Sequence, residues 1–580
     1  MARKPASLLI LLASALLAGG CATGRTAAGF PEPGVLAELA EAPPPHSIFE
    51  SDVLDVQTWE LGGPFPETMG AETTAYASPW GSALKQAALD KPGALLLSEG
   101  MHCVARELGR FHLAHHARPS KSLRRFITSR CGSPATQVMA ASVSGEVPDE
   151  VTDEELFEQW QESVQDLVGG HLGAGSRTAG LWFGRRDGQA VVMLATAERK
   201  VHLTKMSAFP DEEGHIIISG ELMIPAERMR ALINHGRYGV KQCEQGVNLQ
   251  LPRFAFRCKV DPDDDYAWVQ VGAFPPGRIL GDTVLEMLSW PKREPANTYT
   301  RPSYTDESRS VKDEASFIIG LVELLNGVRA RAELGELTLE PEQSKVATRL
   351  APHYFSAIVG GAPETMADTV VLGLRAGWEV EGTVEYGLFA AQMVGQTSDL
   401  SGLVSLALER PGAREALLDP RATRIAVGPM FVPEANVLAA VMSTYALFDR
   451  EQSEANARAV WERLDGLRRE RDKPPLERLH EVDKLIAVAA VSIENGNKEP
   501  EEAFEELTEA ALEPLGRSVY GWIVEAGSLD EFEFPDELLR RARLGVALGV
   551  AHHQPEGEPW GRYVILFLAA QVEGRVAVVQ

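Results

Sequence analysis

Cysteine is scarce in this chain of 580 residues: there are five, with no Cys-x-x-Cys pair and no Cys/His spacing that builds a structural zinc site. Basic residues are in deficit as well. Lysine and arginine total 56 against 82 aspartates and glutamates, a formal net charge of −26. That balance disfavours a polyanionic partner and argues against nucleic acid, while favouring solubility. After the N-terminal segment no apolar run is long enough to cross a bilayer. Familiar catalytic signatures are missing too: no Gly-x-Ser-x-Gly elbow, no Walker loop, and no Gly-x-Gly-x-x-Gly opening a helix after a strand. Serines and acids are plentiful, but no spacing gathers them.

What is present begins at the N-terminus. Arg3 and Lys4 precede an apolar run from Ser7 to Leu17, too short to span a membrane, and Leu17-Ala-Gly-Gly-Cys21 follows. The stretch resembles a bacterial lipoprotein signal, in which the cysteine thiol receives a diacylglyceryl group and the cleaved chain begins there. Ala18 departs from the leucine such signals prefer, and an ordinary secretory signal is the alternative. The resemblance implies a signal peptide over residues 1–20, lipidation at Cys21, and a membrane tie made by lipid alone; two or more acyl chains hold a soluble body firmly. Ala22 is not the aspartate associated with inner-membrane retention, which implies an outer-membrane lipoprotein facing the periplasm.

Removing Cys21 leaves four cysteines, enough for two disulfides in an oxidising compartment. Each of Cys103 with Cys131 and Cys243 with Cys258 is a local pair, and these are the expected bridges; the crossed connectivities stay open. Residues 21–50 are rich in Ala, Pro and Gly and read as a flexible tether. Residues 51–197 mix helix with strand-like ends at 179–184 and 190–194. Residues 198–290 read as short strands of an antiparallel β-sandwich, with Asp261-Pro-Asp-Asp-Asp265 as a hairpin turn, since it lacks the glycine and glutamate of a calcium loop. A polar linker follows at 291–312. Two further helix-then-strand segments, 313–450 and 451–580, repeat one texture, which is evidence of a duplicated unit. Gly361, Gly373 and Gly382 read as loop punctuation.

Residues 321–428 resemble the CAP superfamily, the cysteine-rich secretory and pathogenesis-related (SCP) type of α-β-α sandwich. Leu324-Leu-Asn-Gly-Val-Arg-Ala-Arg331 with Leu334-Gly-Glu-Leu-Thr-Leu339 is similar to the family opening. Tyr354-Phe-Ser356, Tyr386-Gly387, Arg410-Pro-Gly-Ala-Arg414 and Ile425-Ala-Val-Gly428 resemble its later segments. The same frame is laid on Trp160-Gln-Glu-Ser163 with Ala179-Gly-Leu181, and on Trp522-Ile-Val-Glu-Ala-Gly-Ser528 with Leu544-Gly-Val546. The resemblance implies an α+β chain: diverged CAP-like modules with an intervening antiparallel β-sandwich.

Metal-binding members of that family use two histidines and two acidic or polar groups converging on a cation at about 2 Å. Carried over position by position, this chain has Ala357, Leu388 and Ala413 in the middle segment, none of which can ligate or move a proton. Asp166 and Ser528 stand at the corresponding histidine position elsewhere. His102, His112, His115 and His116 form a separate cluster on a helical stretch. His112 and His116 are spaced to share a helix face, the geometry of a zinc pair, but no glutamate makes them His-Glu-x-x-His. His552-His553 reads as a loop.

The expectation is a lipid-anchored envelope protein without catalytic residues or cofactor, serving a binding or scaffold role toward an envelope protein, glycan or lipid. The alternatives are a metal-binding protein or metal-dependent hydrolase using His112 and His116, and lipid or sterol binding in an apolar cleft lined by Leu388 and Ala413.

Overall fold

The computed structural model describes residues 29–571, apart from 46–52, 67–78, 91–94, 173–176, 247–248, 279, 396–398, 433–436, 517 and 531. The signal segment and Cys21 lie outside the described residues. Of those described, 33–375 with 388–444 make one compact unit, and 29–32 with 376–387 and 445–571 make another.

One strand order occurs three times. In the stretch 95–198 a short first strand, Leu95–Leu97, pairs parallel with the third, Arg177–Arg186. The third lies antiparallel to the fourth, Gln189–Glu198, which lies antiparallel to the second, Val138–Glu146. The order is therefore first, third, fourth, second. Thr338–Leu339, Val384–Gly395, Arg424–Val432 and Val437–Leu447 repeat it, and so do Glu477–Arg478, Val519–Ala526, Leu544–His553 and Arg562–Gln571. A parallel pair needs a crossover. Each time, a helix begins within a few residues of the first strand, starting at Glu99, Pro341 or, after a short 3-10 turn, Asp483. The residue just beyond that strand is tied back to the third strand in the same way: Ser98 N–H donates to Ala179 O, Glu340 N–H to Ile425 O, and Leu479 N–H to Val546 O.

The fourth strands are nearly continuous apolar runs because both faces are covered. Val564, Leu566 and Leu568 pack with the helices Asp483–Glu494 and Pro500–Leu515, whereas Ile565, Phe567 and Ala569 pack with Ser453–Glu470 and Asp536–Arg540. Val192 and Leu194 likewise face one core, Val191 and Met193 another. In the middle segment Leu438, Ala440 and Met442 join the core beneath Glu314–Arg331. On the third strand Ile425 and Val427 face that core. Gly428 points the other way, onto the helix Pro341–Ile358, where a Cβ would collide with Ala347 O. Each repeat is thus helix, sheet, helix.

Between the first two repeats, residues 201–289 form two four-stranded antiparallel sheets around one apolar core. This antiparallel body is small, and the disulfide Cys243–Cys258 lies in its core. Cys103–Cys131 joins the helix Glu99–His115 to the end of Lys121–Arg130. Both local pairings are therefore the ones present.

Four readings need correction. Pro33–Glu41, expected as tether, is a helix whose Leu36 is buried. Gly373, expected in a loop, is inside the helix Glu364–Ala376; with no Cβ it leaves the space that Leu36 fills. The linker is pinned, since Thr298–Thr300 pairs with Thr58–Glu60 and Tyr299 is fully buried. His552 and His553 are the last residues of the strand Leu544–His553, paired with Tyr563 and Arg562.

Candidate functional site

The three aliphatic positions of the middle repeat do not line one hollow. Leu388 and Ala413 belong to the core beneath Glu314–Arg331. Ala357 is buried on Pro341–Ile358, in the layer on the other side of the sheet. The layers make the separation: Ala413 is on the helix Pro411–Leu417 and Leu388 on the strand Val384–Gly395, both turned toward one core, while the helix of Ala357 covers the other face of the sheet. Asp166 is exposed on the helix Asp153–His171, and Ser528 uses its hydroxyl to accept the Asp530 N–H at 3.2 Å.

The histidine cluster is spread out as well. The helix carrying it ends at His115. His116 is a C-cap in left-handed conformation (φ 51°), its N–H donating to His112 O, so the pair has no continuous helix face to share. His102 is half-buried with Nδ1 at 2.6 Å from Leu181 O, and burial holds its pKa below the usual value. His115 packs its ring on Trp59 and Phe111. Among the described residues no three His, Cys, Asp or Glu side chains converge as metal ligands.

What the structure does assemble is a set of buried charges. Arg329 is completely buried and satisfies its guanidinium on backbone carbonyls alone: Nε donates to Gly335 O at 2.7 Å, Nη1 to Leu417 O and Asp419 O at 3.0 and 3.1 Å, and Nη2 to Ala422 O at 3.0 Å. Arg468, also completely buried, does the same with Pro474 O, Leu538 O and Arg541 O. Burial lowers the pKa of both arginines. Nearby, Asn326 exchanges two hydrogen bonds with the Leu337 backbone, fixing the turn after the first helix of the middle repeat. Among the described residues of the first repeat the matching position makes no such clamp: Gln86, equally far ahead of its first strand, is exposed and bonds Asp90.

A buried polar cluster gathers around Glu409 at the end of Leu400–Glu409. Ser122 donates to its Oε2 at 3.3 Å, Arg125 Nη1 lies 3.9 Å from the same oxygen, and Arg125 Nε bonds Glu286 at 2.9 Å. The Arg125 guanidinium sits 3.5 Å above the Trp268 ring, and Asn234 donates to the Glu409 backbone carbonyl. Burial raises the Glu409 pKa, opposed chiefly by the Arg125 charge. Arg414 bonds Tyr304 Oη and the carbonyls of Leu408 and Gly236. These residues come from the first repeat, the antiparallel body, the 291–312 segment and the middle repeat. The cluster ties separate parts of one unit together, and sequence spacing had no means of showing it, because the contacts that join those parts link residues 110–287 apart.

In the second unit Ser453 Oγ donates to Glu494 at 2.8 Å. His552, buried and stacked on Phe448, lies 3.5 Å from the same carboxylate. Among the described residues one surface hollow of about 230 Å³ has Val311, Phe317, Phe431 and Leu438 in its wall, and another of about 100 Å³ lies near Ser98 and Arg199. Both are below the size of ordinary small-molecule pockets. No helix among the described residues is long and apolar enough to cross a membrane.

No family model matches the chain, and no curated protein matches it. Among solved structures it is similar to a cysteine-rich secretory protein from Staphylococcus aureus, with 11% identity over 42% of this chain and 84% of that one, TM-score 0.18. It is also similar to an extracellular protein containing a SCP domain from Bacillus anthracis, with 10% identity over 42% and 88%, TM-score 0.17. A third is the beta-1,2-glucanase from Parabacteroides distasonis, with 10% identity over 38% and 30%, TM-score 0.10.

Proposed function

We propose that this chain is a non-catalytic binding or scaffold protein of the cell envelope, built from diverged CAP-like modules and anchored by a lipid on Cys21 in the outer membrane, facing the periplasm. Its partner is an envelope protein, a glycan or a lipid. One observation carries the scaffold reading: the buried charges at the repeat cores and at Glu409 are spent on backbone carbonyls and on one another rather than aimed into a hollow. Such groups specify how segments join. The aliphatic residues Ala357, Leu388 and Ala413 support it, since they pack cores where working relatives would present donors.

Two measurements test the proposal. Labelled palmitate fed to expressing cells enters the wild-type chain and sediments with outer membrane, and the Cys21→Ala chain is unlabelled; an unlabelled wild type removes the anchor. Zinc titration of the purified protein leaves no stoichiometric complex. Tight one-to-one binding that disappears in His112→Ala and His116→Ala overturns the scaffold reading in favour of metal chemistry.

A further inference from the structure

In a chain with this excess of acid, the smaller of the two hollows gathers basic side chains. Arg199 and Lys200 form the connection between the strands Gln189–Glu198 and Val201–Met206, and His202 follows. Among the described residues no acid pairs with any of the three, and Arg199 Nε is buried without a hydrogen-bond partner. That nitrogen is enclosed by protein, so an acceptor in the hollow reaches only the outer nitrogens of the guanidinium.

All three basic residues line the smaller hollow, about 100 Å³, together with Ser98, Ser133 and Thr178. Ser98 and Ser133 are buried, and Ser98 is the N-cap of the long helix Glu99–His115, whose first turn adds partial positive charge. Glu198, exposed at the rim, is the single carboxylate in the lining. At about 30 Å³ per water the hollow holds roughly three waters, the space of a small oxyanion. Its hydroxyls and cations come from four separate stretches of chain. A tetrahedral anion suits donors arriving from several sides, whereas one guanidinium already satisfies a planar carboxylate.

We propose that this hollow is a binding site for a phosphate group, with Arg199 and Lys200 supplying the counter-charge and the hydroxyls of Ser98 and Thr178 completing the hydrogen bonds. The proposal is independent of the scaffold reading, and its failure leaves the Cys21 test untouched.

The test is calorimetric titration of the full purified chain with inorganic phosphate, glycerol phosphate, acetate and chloride at constant ionic strength. Saturable binding of either phosphate species, with acetate and chloride inert, is expected. Glycerol phosphate binding more tightly identifies a phosphomonoester as the ligand, and inorganic phosphate binding more tightly identifies the free anion. Arg199→Gln weakens binding at least about tenfold, Arg199→Lys weakens it less, and Arg186→Gln, an exposed arginine absent from the lining, leaves it unchanged. Lys200→Gln serves should Arg199→Gln fail to fold. Absence of saturable binding, equal binding of acetate, or full affinity in both glutamine variants overturns the proposal.

Discussion

Arg329 and Arg468 hold the same place in two repeats of the chain. Each lies near the end of a repeat's first helix, is wholly buried, and sends its Nε to the carbonyl six residues onward, Gly335 or Pro474. The remaining nitrogens reach the stretch just before the third strand, 417–422 in one case and 538–541 in the other. An arginine used in this way is a strut. Its planar fork matches several carbonyls at once, which a lysine cannot do.

Arg329→Met therefore strands four carbonyls and should destabilise the protein by about 3 kcal/mol or more. Arg329→Lys should recover only a small part. Urea unfolding, compared with Arg331→Met on the exposed side of the same helix, measures the difference; equal effects at 329 and 331 would remove the strut.

Glu409 gives a pH signature. Burial raises its folded pKa above the unfolded value, so the folded state holds the proton longer. Its contribution to stability is present below the usual glutamate range near 4.3 and is lost as pH rises through the raised value. Glu409→Gln should therefore gain stability relative to wild type as pH climbs from about 4 toward neutrality. Paired unfolding curves across that range check the slope. A slope of the opposite sign would mean that the Arg125 attraction outweighs burial.

Two glycines should respond oppositely to one substitution. The space over Gly109 is taken by Trp182, so Gly109→Ala crowds the ring and costs about 1–3 kcal/mol. Gly466, inside the helix Ser453–Glu470, has nothing within 4 Å of an added Cβ. There the change to alanine should stabilise by up to about 1 kcal/mol through helix propensity. Thermal melts of the two variants decide it.

Breaking Cys103–Cys131, which spans 28 residues, frees the unfolded chain and should cost about 3–4 kcal/mol. Cys103→Ala/Cys131→Ala measured beside wild type with and without reductant tests this, and non-reducing peptide mapping checks the pairing.

Local features were legible in the residue order. Both disulfides join cysteines near one another in the chain, so proximity alone selected the right connectivity. The strand-like ends at 179–184 and 190–194 are strands, and the helix-then-strand texture is present in each of the later segments. The His112/His116 spacing misled because helix periodicity stops where the backbone turns left-handed at His116. His552-His553 beside a Pro-Glu-Gly turn looked like loop, yet pairing with Tyr563 carries the strand through both histidines. Gly373 gave no sign of Leu36, which lies far back in the chain.

The sequence by itself determined the alternation of helix and strand, the repetition of one texture and the local crosslinks, because each of these is written in near neighbours. Tertiary structure alone decided the fate of individual charges. Arg329 and Arg331 are the same residue type on one helix, yet one is entombed and the other half-exposed. The distinction depends on carbonyls 88–93 residues away that no short-range pattern encodes. Likewise Ala357 and Leu388 look like members of one motif, yet Leu388 packs on one face of its sheet and the helix of Ala357 covers the other.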